Sequence, residues 1–334
     1  MRQNDQKTLF AKRIIRQLGL AALTVATWIA VSAPALAAQP GAEQCSVAVV
    51  TKQSVGRSHV CDAETVRRLA KQGRVFEQNQ LGMSSMLVVG PGYNPAEAAK
   101  WFEQAAQKGY APAQVNLAVM YVNGWGVAPN NGVALHWLHQ AAEQHYARAY
   151  YNLGILYMSG TGVTKDYGEA LRYFQMGADA GDSSAQTNLG YFYDEGLGVH
   201  RDLEAAARWY RKAADAGNAR AQNNLADLYL RGEGVGQNDA TAFQLFQQAA
   251  QQGDTGARIK LGYMYSSGRA TKQDLKQAYA WITAATVAGD DRGRDLLQSI
   301  EPQLSRQQIS EAKELARKLN AEAEGQLSAQ VFQP

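Results

Sequence analysis

Cysteine is close to absent from this chain. Cys45 and Cys61 are the only two in 334 residues. Without a Cys-x-x-Cys spacing they do not read as a metal or thiol-redox site. In an oxidising compartment the default is one disulfide closing a short loop, which contributes roughly 3 kcal/mol in the chain-entropy model. Charge of one sign is scarce too. The 33 bases and 30 acids give +3, but five bases (Arg2, Lys7, Lys12, Arg13, Arg16) and one acid (Asp5) lie in residues 1–37, which leaves the remainder at about −1. No basic face remains to neutralise phosphates, and this excludes a nucleic-acid partner. No segment after Val31 is apolar enough to span a membrane.

Catalytic constellations are missing as well. His136 and His139 are three apart and could share a helix face with His145 nearby, but no carboxylate or cysteine completes a metal set by spacing. His200 falls in a turn, where it reads as solvated. The string Gly232-Glu233-Gly234-Val235-Gly236 lacks the Gly-Lys-Ser/Thr ending of a phosphate loop and follows no strand. Ser310-Glu311-Ala312-Lys313 matches Ser-x-x-Lys, a pattern short enough to arise by chance. The sequence therefore predicts no catalytic residues, no metal and no cofactor.

What the chain does contain starts with an export signal. A basic region precedes an apolar run from Leu18 to Val31, and Ala35-Leu36-Ala37 gives small residues at a cleavage-site spacing. No cysteine follows the cleavage site directly, and there is no paired arginine. The expectation is a cleavable signal over 1–37, ordinary unfolded-chain export, and a periplasmic or secreted mature protein with no stable membrane insertion.

The rest is organised by a repeat. Ala113, Leu117, Tyr121, Gly124, Gly126, Val127, Ala134 and Trp137 recur at a step of 36 as Ala149, Leu153, Tyr157, Gly160, Gly162, Val163, Ala170 and Tyr173. Further steps reach Leu189, Leu225 and Leu261 without an insertion, which makes five copies in register. Self-similarity at this period predicts stacked helical hairpins, each sealing the apolar flank of the next. Ala113, Leu117 and Tyr121 share one side of a first helix. Position 118 and its copies hold only Ala or Gly, so a neighbouring helix is expected to approach closely. Gly124 and Gly126 end the helix through left-handed backbone. Asn130, Asp166, Asp202 and Asp274 stand at N-cap positions of a second helix, with Glu169 and Gln277 placed to complete capping boxes.

The ends depart from the pattern. Residues 38–73 read as a linker closed by the cysteine pair, then a capping helix begun by Asp62. An imperfect first repeat, with Glu77, Ser85 and Pro91 out of pattern, opens the array, which runs over 74–290 as about six repeats. Residues 291–323 read as covering helices, the last started by Ser305 with Gln308 and apolar along Ile309, Ala312, Leu315, Ala316 and Leu319. A mobile tail is expected over 324–334.

The string Ala-x-x-Asn-Leu-Gly-x-x-Tyr-x-x-Gly-x-Gly-Val, best seen at 149–163 and 185–199, resembles the Sel1-like repeat, a relative of tetratricopeptide repeats. The resemblance implies an all-α fold, a right-handed α-solenoid of helix–turn–helix repeats, and a function in binding a protein or peptide partner. In related superhelices the side opposite the Ala113/Leu117/Tyr121 face lines an inner groove. Here it reads Val115, Val119 and Val122, then Tyr151, Ile155 and Met158, then Thr187, Tyr191 and Asp194, then Asn223, Asp227 and Leu230, then Ile259, Tyr263 and Ser266, an apolar and aromatic half leading into a polar one. The groove is expected to take an extended peptide or a partner helix. Asn116, Asn152, Asn188 and Asn224 form a second ladder that either bonds a guest backbone or serves its own helices. The expected role is a non-enzymatic adaptor in the bacterial cell envelope. Two other readings are an envelope hydrolase or a glycan- or β-lactam-binding member, and a passive scaffold. Family members associated with β-lactams have paired cysteines in each repeat, and this chain has none there.

Overall fold

The computed structural model describes residues 46–47, 60–61, 63–86 and 93–331. The expected signal 1–37, Cys45 and Asp62 lie outside the described residues. Two short strands, β1 (Ser46–Val47) and β2 (Val60–Cys61), pair in parallel, Ser46 with Val60 and Val47 with Cys61. All other elements are helical: α1 (Ala63–Lys71), α2 (Val75–Ser85), α3 (Pro95–Gln107), α4 (Ala111–Asn123), α5 (Asn131–Glu143), α6 (Ala147–Ser159), α7 (Tyr167–Asp179), α8 (Ser183–Glu195), α9 (Leu203–Asp215), α10 (Ala219–Arg231), α11 (Asp239–Gln251), α12 (Thr255–Ser267), α13 (Leu275–Val287), α14 (Arg294–Ile300) and α15 (Arg306–Val331). This is the α-solenoid of helical hairpins that the period predicts. Among the described residues the chain divides into an N-terminal unit, which runs to Phe192 and includes Leu197–His200, and a C-terminal unit of Tyr193–Gly196 and Arg201–Val331.

Helices α3 to α13 each have 13 residues, and α2, the first helix of the imperfect first repeat, has 11. In a hairpin the first helix ends where glycine adopts the left-handed conformation, as at Gly124 (φ 69°), whose N–H bonds the Met120 carbonyl. The second turn glycine has a further constraint. Gly126 also has positive φ, and a Cβ there would lie 2.3 Å from the Pro95 carbonyl carbon, at the start of the preceding second helix. Stacking therefore leaves no room for a side chain at that point.

The second helices begin as expected. Asn130, Asp166, Asp202 and Asp274 accept from the backbone N–H three residues on, and Asn238 does the same for α11. The box at Asp166 differs from expectation in its return half. The Glu169 carboxylate lies 2.7 Å from the Arg172 guanidinium, an ionic partner one helical turn on. The box at Ser305 is reciprocal: Gln308 N–H donates to Ser305 Oγ at 3.2 Å, and Ser305 N–H to Gln308 Oε1 at 2.9 Å.

Small residues at position 118 and its copies are explained by the second helix of the same hairpin. A Cβ on Gly82, Gly154 or Gly262 would lie within 2.6 Å of Phe102, Phe174 or Ile282 respectively. Glu77, which breaks the repeat pattern, is fully buried and pairs with Arg74 at 3.0 Å.

At the far end a 3-10 turn, Asp291–Gly293, leads into α14, and a second, Glu301–Gln303, follows it at Pro302. Helix α15 then lays Ala312, Ala316, Leu319 and Ala323, all buried, on the last repeats. It continues to Val331, beyond Glu324, where the sequence reading ends it.

Candidate protein-interaction face

The side expected to line a groove is built in the N-terminal unit by α4, α6 and the first part of α8. The structure divides its residues into two rows. Val115 is 2% exposed and Tyr151 8%, so neither forms part of an open surface. Val115 shares a core with Ala118, Leu138 and Tyr150. The Tyr151 ring lies 6.2 Å from that of Phe174 and beneath the Arg148 guanidinium at 5.2 Å. Stacking removes more apolar area from water than an open groove would, and it takes these two positions first. One turn further along each helix the side chains emerge. Val119, Val122, Ile155 and Met158 are half-buried. Tyr191 is 41% exposed.

The amide ladder is used internally. Asn116 Nδ2 donates to Asn79 Oδ1 at 3.0 Å, Asn152 Nδ2 to the Arg148 carbonyl at 2.8 Å, and Asn188 Nδ2 to the Ser184 carbonyl at 2.9 Å. In the C-terminal unit Asn224 accepts from Asn223 Nδ2 at 3.2 Å.

A second ladder escaped the sequence reading. Gln78, Gln114, Gln186 and Gln222 each donate through Nε2 to the carbonyl eight residues earlier, on Ala70, Ala106, Ala178 and Ala214, at 3.0–3.3 Å. Tyr150 and Arg258 hold the same register and do the same, to Ala142 and Ala250. Each bond ties a first helix to the last turn of the second helix before it, as a second donor to a carbonyl that already accepts the backbone N–H three residues on. The signal was present, since Gln recurs at 36-residue steps, but a polar type does not reveal which backbone group it serves.

Titratable groups are scattered. His136 and His139 are exposed on α5, and each turns to a different ring, His136 to Trp137 at 5.2 Å and His139 to Tyr173 at 6.5 Å. Burial, assisted by the Glu77 charge, pushes the Tyr110 hydroxyl up to about 12. In the C-terminal unit, burial raises the Asp194 carboxyl although the Tyr210 hydroxyl donates to it at 3.4 Å. Ser310 and Lys313 are both exposed on α15. Among the described residues no group of three or more His, Cys, Asp or Glu could hold a metal ion, and no helix is long and apolar enough to cross a membrane. The face is equipped for non-covalent contact through apolar and aromatic side chains.

The Sel1 repeat family matches residues 78–110, 111–146, 147–182, 183–218, 219–254 and 256–290. Among solved structures, the chain is similar to a Sel1 repeat protein from Oxalobacter formigenes at 33% identity and a TM-score of 0.61, over 67% of this chain and 99% of that one. It is also similar to c5321, a protective antigen of uropathogenic Escherichia coli strains that displays an SLR fold, at 30% identity and a TM-score of 0.60. That alignment covers 80% of this chain but spans only 56% of the length of c5321. No curated protein matches.

Proposed function

The chain belongs to the Sel1 repeat family, and we propose that it works as a non-enzymatic adaptor that holds a protein partner against the α4–α6–α8 face. Sel1 repeats generally mediate protein interactions. The single observation that carries the reading here is the strip of half-buried apolar side chains, Val119, Val122, Ile155 and Met158, ending on the exposed Tyr191. Apolar surface left in water beside an aromatic is what a partner covers. A photo-crosslinking residue at position 191 or 158, in cells, is expected to capture one protein reproducibly. Capture of nothing selective above a probe at Val287, which is 71% exposed at the far end of α13, would sink the adaptor reading.

The working compartment in this proposal is the cell envelope, reached through the signal over 1–37 with cleavage after Ala37. In that compartment Cys45 and Cys61 form one disulfide closing a short loop. N-terminal sequencing of the exported protein is expected to begin at Ala38, and its non-reduced mass to show no alkylatable thiol. A mature chain that retains residues 1–37, or one with two free thiols, contradicts the corresponding half.

A further inference from the structure

Six methionines lie among the described residues, and the fold treats them unequally. Met120, Met264, Met83 and Met86 are 2%, 3%, 5% and 7% exposed. Met158 is half-buried, and Met176, on α7, is 36% exposed. The exposed one departs from the repeat. At 36-residue steps from it stand Gln104, Gln140, Lys212 and Gln248, all four exposed polar side chains. At the last step, Ala284 is buried in the core that includes Ala316 and Leu319 of α15. This column of the second helices thus faces water until the final helix covers it, and only α7 puts a thioether there. A thioether at a solvent-facing position leaves its sulfur open to attack.

The sulfur also has a cation beside it. Arg172 Nη1 donates to Met176 Sδ at 3.5 Å. Two neighbours hold that guanidinium. Its Nε and Nη2 reach Glu169 Oε2 at 3.2 and 2.7 Å, and its central carbon lies 4.3 Å from the centre of the Tyr173 ring. A thioether sulfur has two lone pairs. The Arg172 N–H covers one and leaves the other to an incoming oxidant.

We infer that Met176 is a reversible oxidation site, at which a hydroperoxide adds one oxygen to Sδ from the side away from Arg172. In this step a sulfur lone pair attacks the terminal peroxide oxygen, and an S–O bond forms as the O–O bond breaks. The sulfur gives up two electrons. The proton on the transferred oxygen passes to the departing one, which leaves as water or an alcohol. The product suits the position. A sulfoxide is polar, and glutamine, a side chain of similar length and polarity, fills this column in three other repeats. Oxidation therefore leaves the hairpin folded, and a methionine sulfoxide reductase restores the thioether. The inference does not depend on the adaptor reading, since α7 supplies no part of the α4–α6–α8 face.

The test treats the purified protein with limiting hydrogen peroxide and follows each methionine by peptide mass spectrometry. Met176 is expected to react first, ahead of Met158 and about tenfold faster than Met83, Met86, Met120 and Met264. Met83 is the internal control, because Asn79 donates to its sulfur at 3.4 Å in a buried setting. Protein oxidised at Met176 should melt within about 2 °C of the parent, as should Met176→Gln. Of the two epimer-specific reductases, one should repair most of the Met176 product, and Arg172→Ala should bring the epimers to about equal shares. Met176 reacting no faster than a buried methionine, or a larger fall in Tm on its oxidation, would overturn the site. Equal shares in the parent, or a bias that persists in Arg172→Ala, would overturn the direction of attack.

Discussion

His145 Nδ1 lies 3.1 Å from the Tyr150 hydroxyl, and that hydroxyl donates to the Ala142 carbonyl at 2.9 Å. With its proton given to Ala142, the hydroxyl receives one from Nδ1. Both residues depart from the repeat. His145 has φ 57° where other copies place Gly181, Gly217 and Gly253, and Tyr150 stands in the glutamine ladder. A left-handed non-glycine residue costs roughly 1–2 kcal/mol, and the hydrogen bond returns about 1 kcal/mol. His145→Gly is therefore expected to fall within about 1 kcal/mol of the parent in urea unfolding. A double-mutant cycle with Tyr150→Gln should give a coupling of about 0.5–1 kcal/mol. Zero coupling would mean that the two anomalies merely sit side by side.

Ala270 occupies the second turn-glycine position with φ 62°. The preceding Arg269 grips Asp239 through two bonds of 2.7 Å and the Leu230 carbonyl at 3.1 Å, and so holds the strained turn in place. Ala270→Gly should raise stability by about 1 kcal/mol, read as a higher Tm. Gly126→Ala, where a Cβ meets the Pro95 backbone, should lower it by about 2–4 kcal/mol. Equal effects from the two changes would refute the distinction.

Arg258 is the one ladder residue that reaches the final helix. Its guanidinium is buried, and it donates to the Leu319 carbonyl at 3.3 Å and to Asn320 Oδ1 as well as to Ala250. Arg258→Gln keeps the ladder bond and drops the tie to α15. Hydrogen exchange should then show amides of α15 around Ala316 losing protection by about 1–3 kcal/mol while α4–α7 stay unchanged. Uniform loss across the chain would contradict a local tie.

Asp290 gives a pH signature. Hydrogen bonds from Arg292, then from Thr255, hold its carboxyl down from 3.8 to about 2 against some burial. A depressed folded value contributes stability above the unfolded value, and that stability is lost as pH falls from about 4 to about 2. Because Arg292 is largely exposed, the contribution is discounted to roughly 1 kcal/mol. Asp290→Asn should flatten the acid limb of the stability curve in that window and leave the neutral-pH slope unchanged.

The repeat was legible because identical hairpins impose identical demands. Gly124 must turn left, Asn130 must cap, and Gly154 must admit Phe174. Those demands act within one repeat, so periodicity exposes them. The proposed face was half legible. The sequence places Val115 and Val119 on the same stripe, yet one is buried and the other emerges, because the line between stacked and open surface depends on how far the next hairpin closes over.

The amino-acid order alone determined the 36-residue hairpin, its caps, its turns and the scarcity of charge along the first helices, since all of these arise from local backbone preference and composition. Only the tertiary structure decided which polar groups were already spent. A glutamine or asparagine has equal capacity for many partners, and its choice among a carbonyl eight residues back, a neighbouring amide or a guest is made by distances that exist only once the helices are packed.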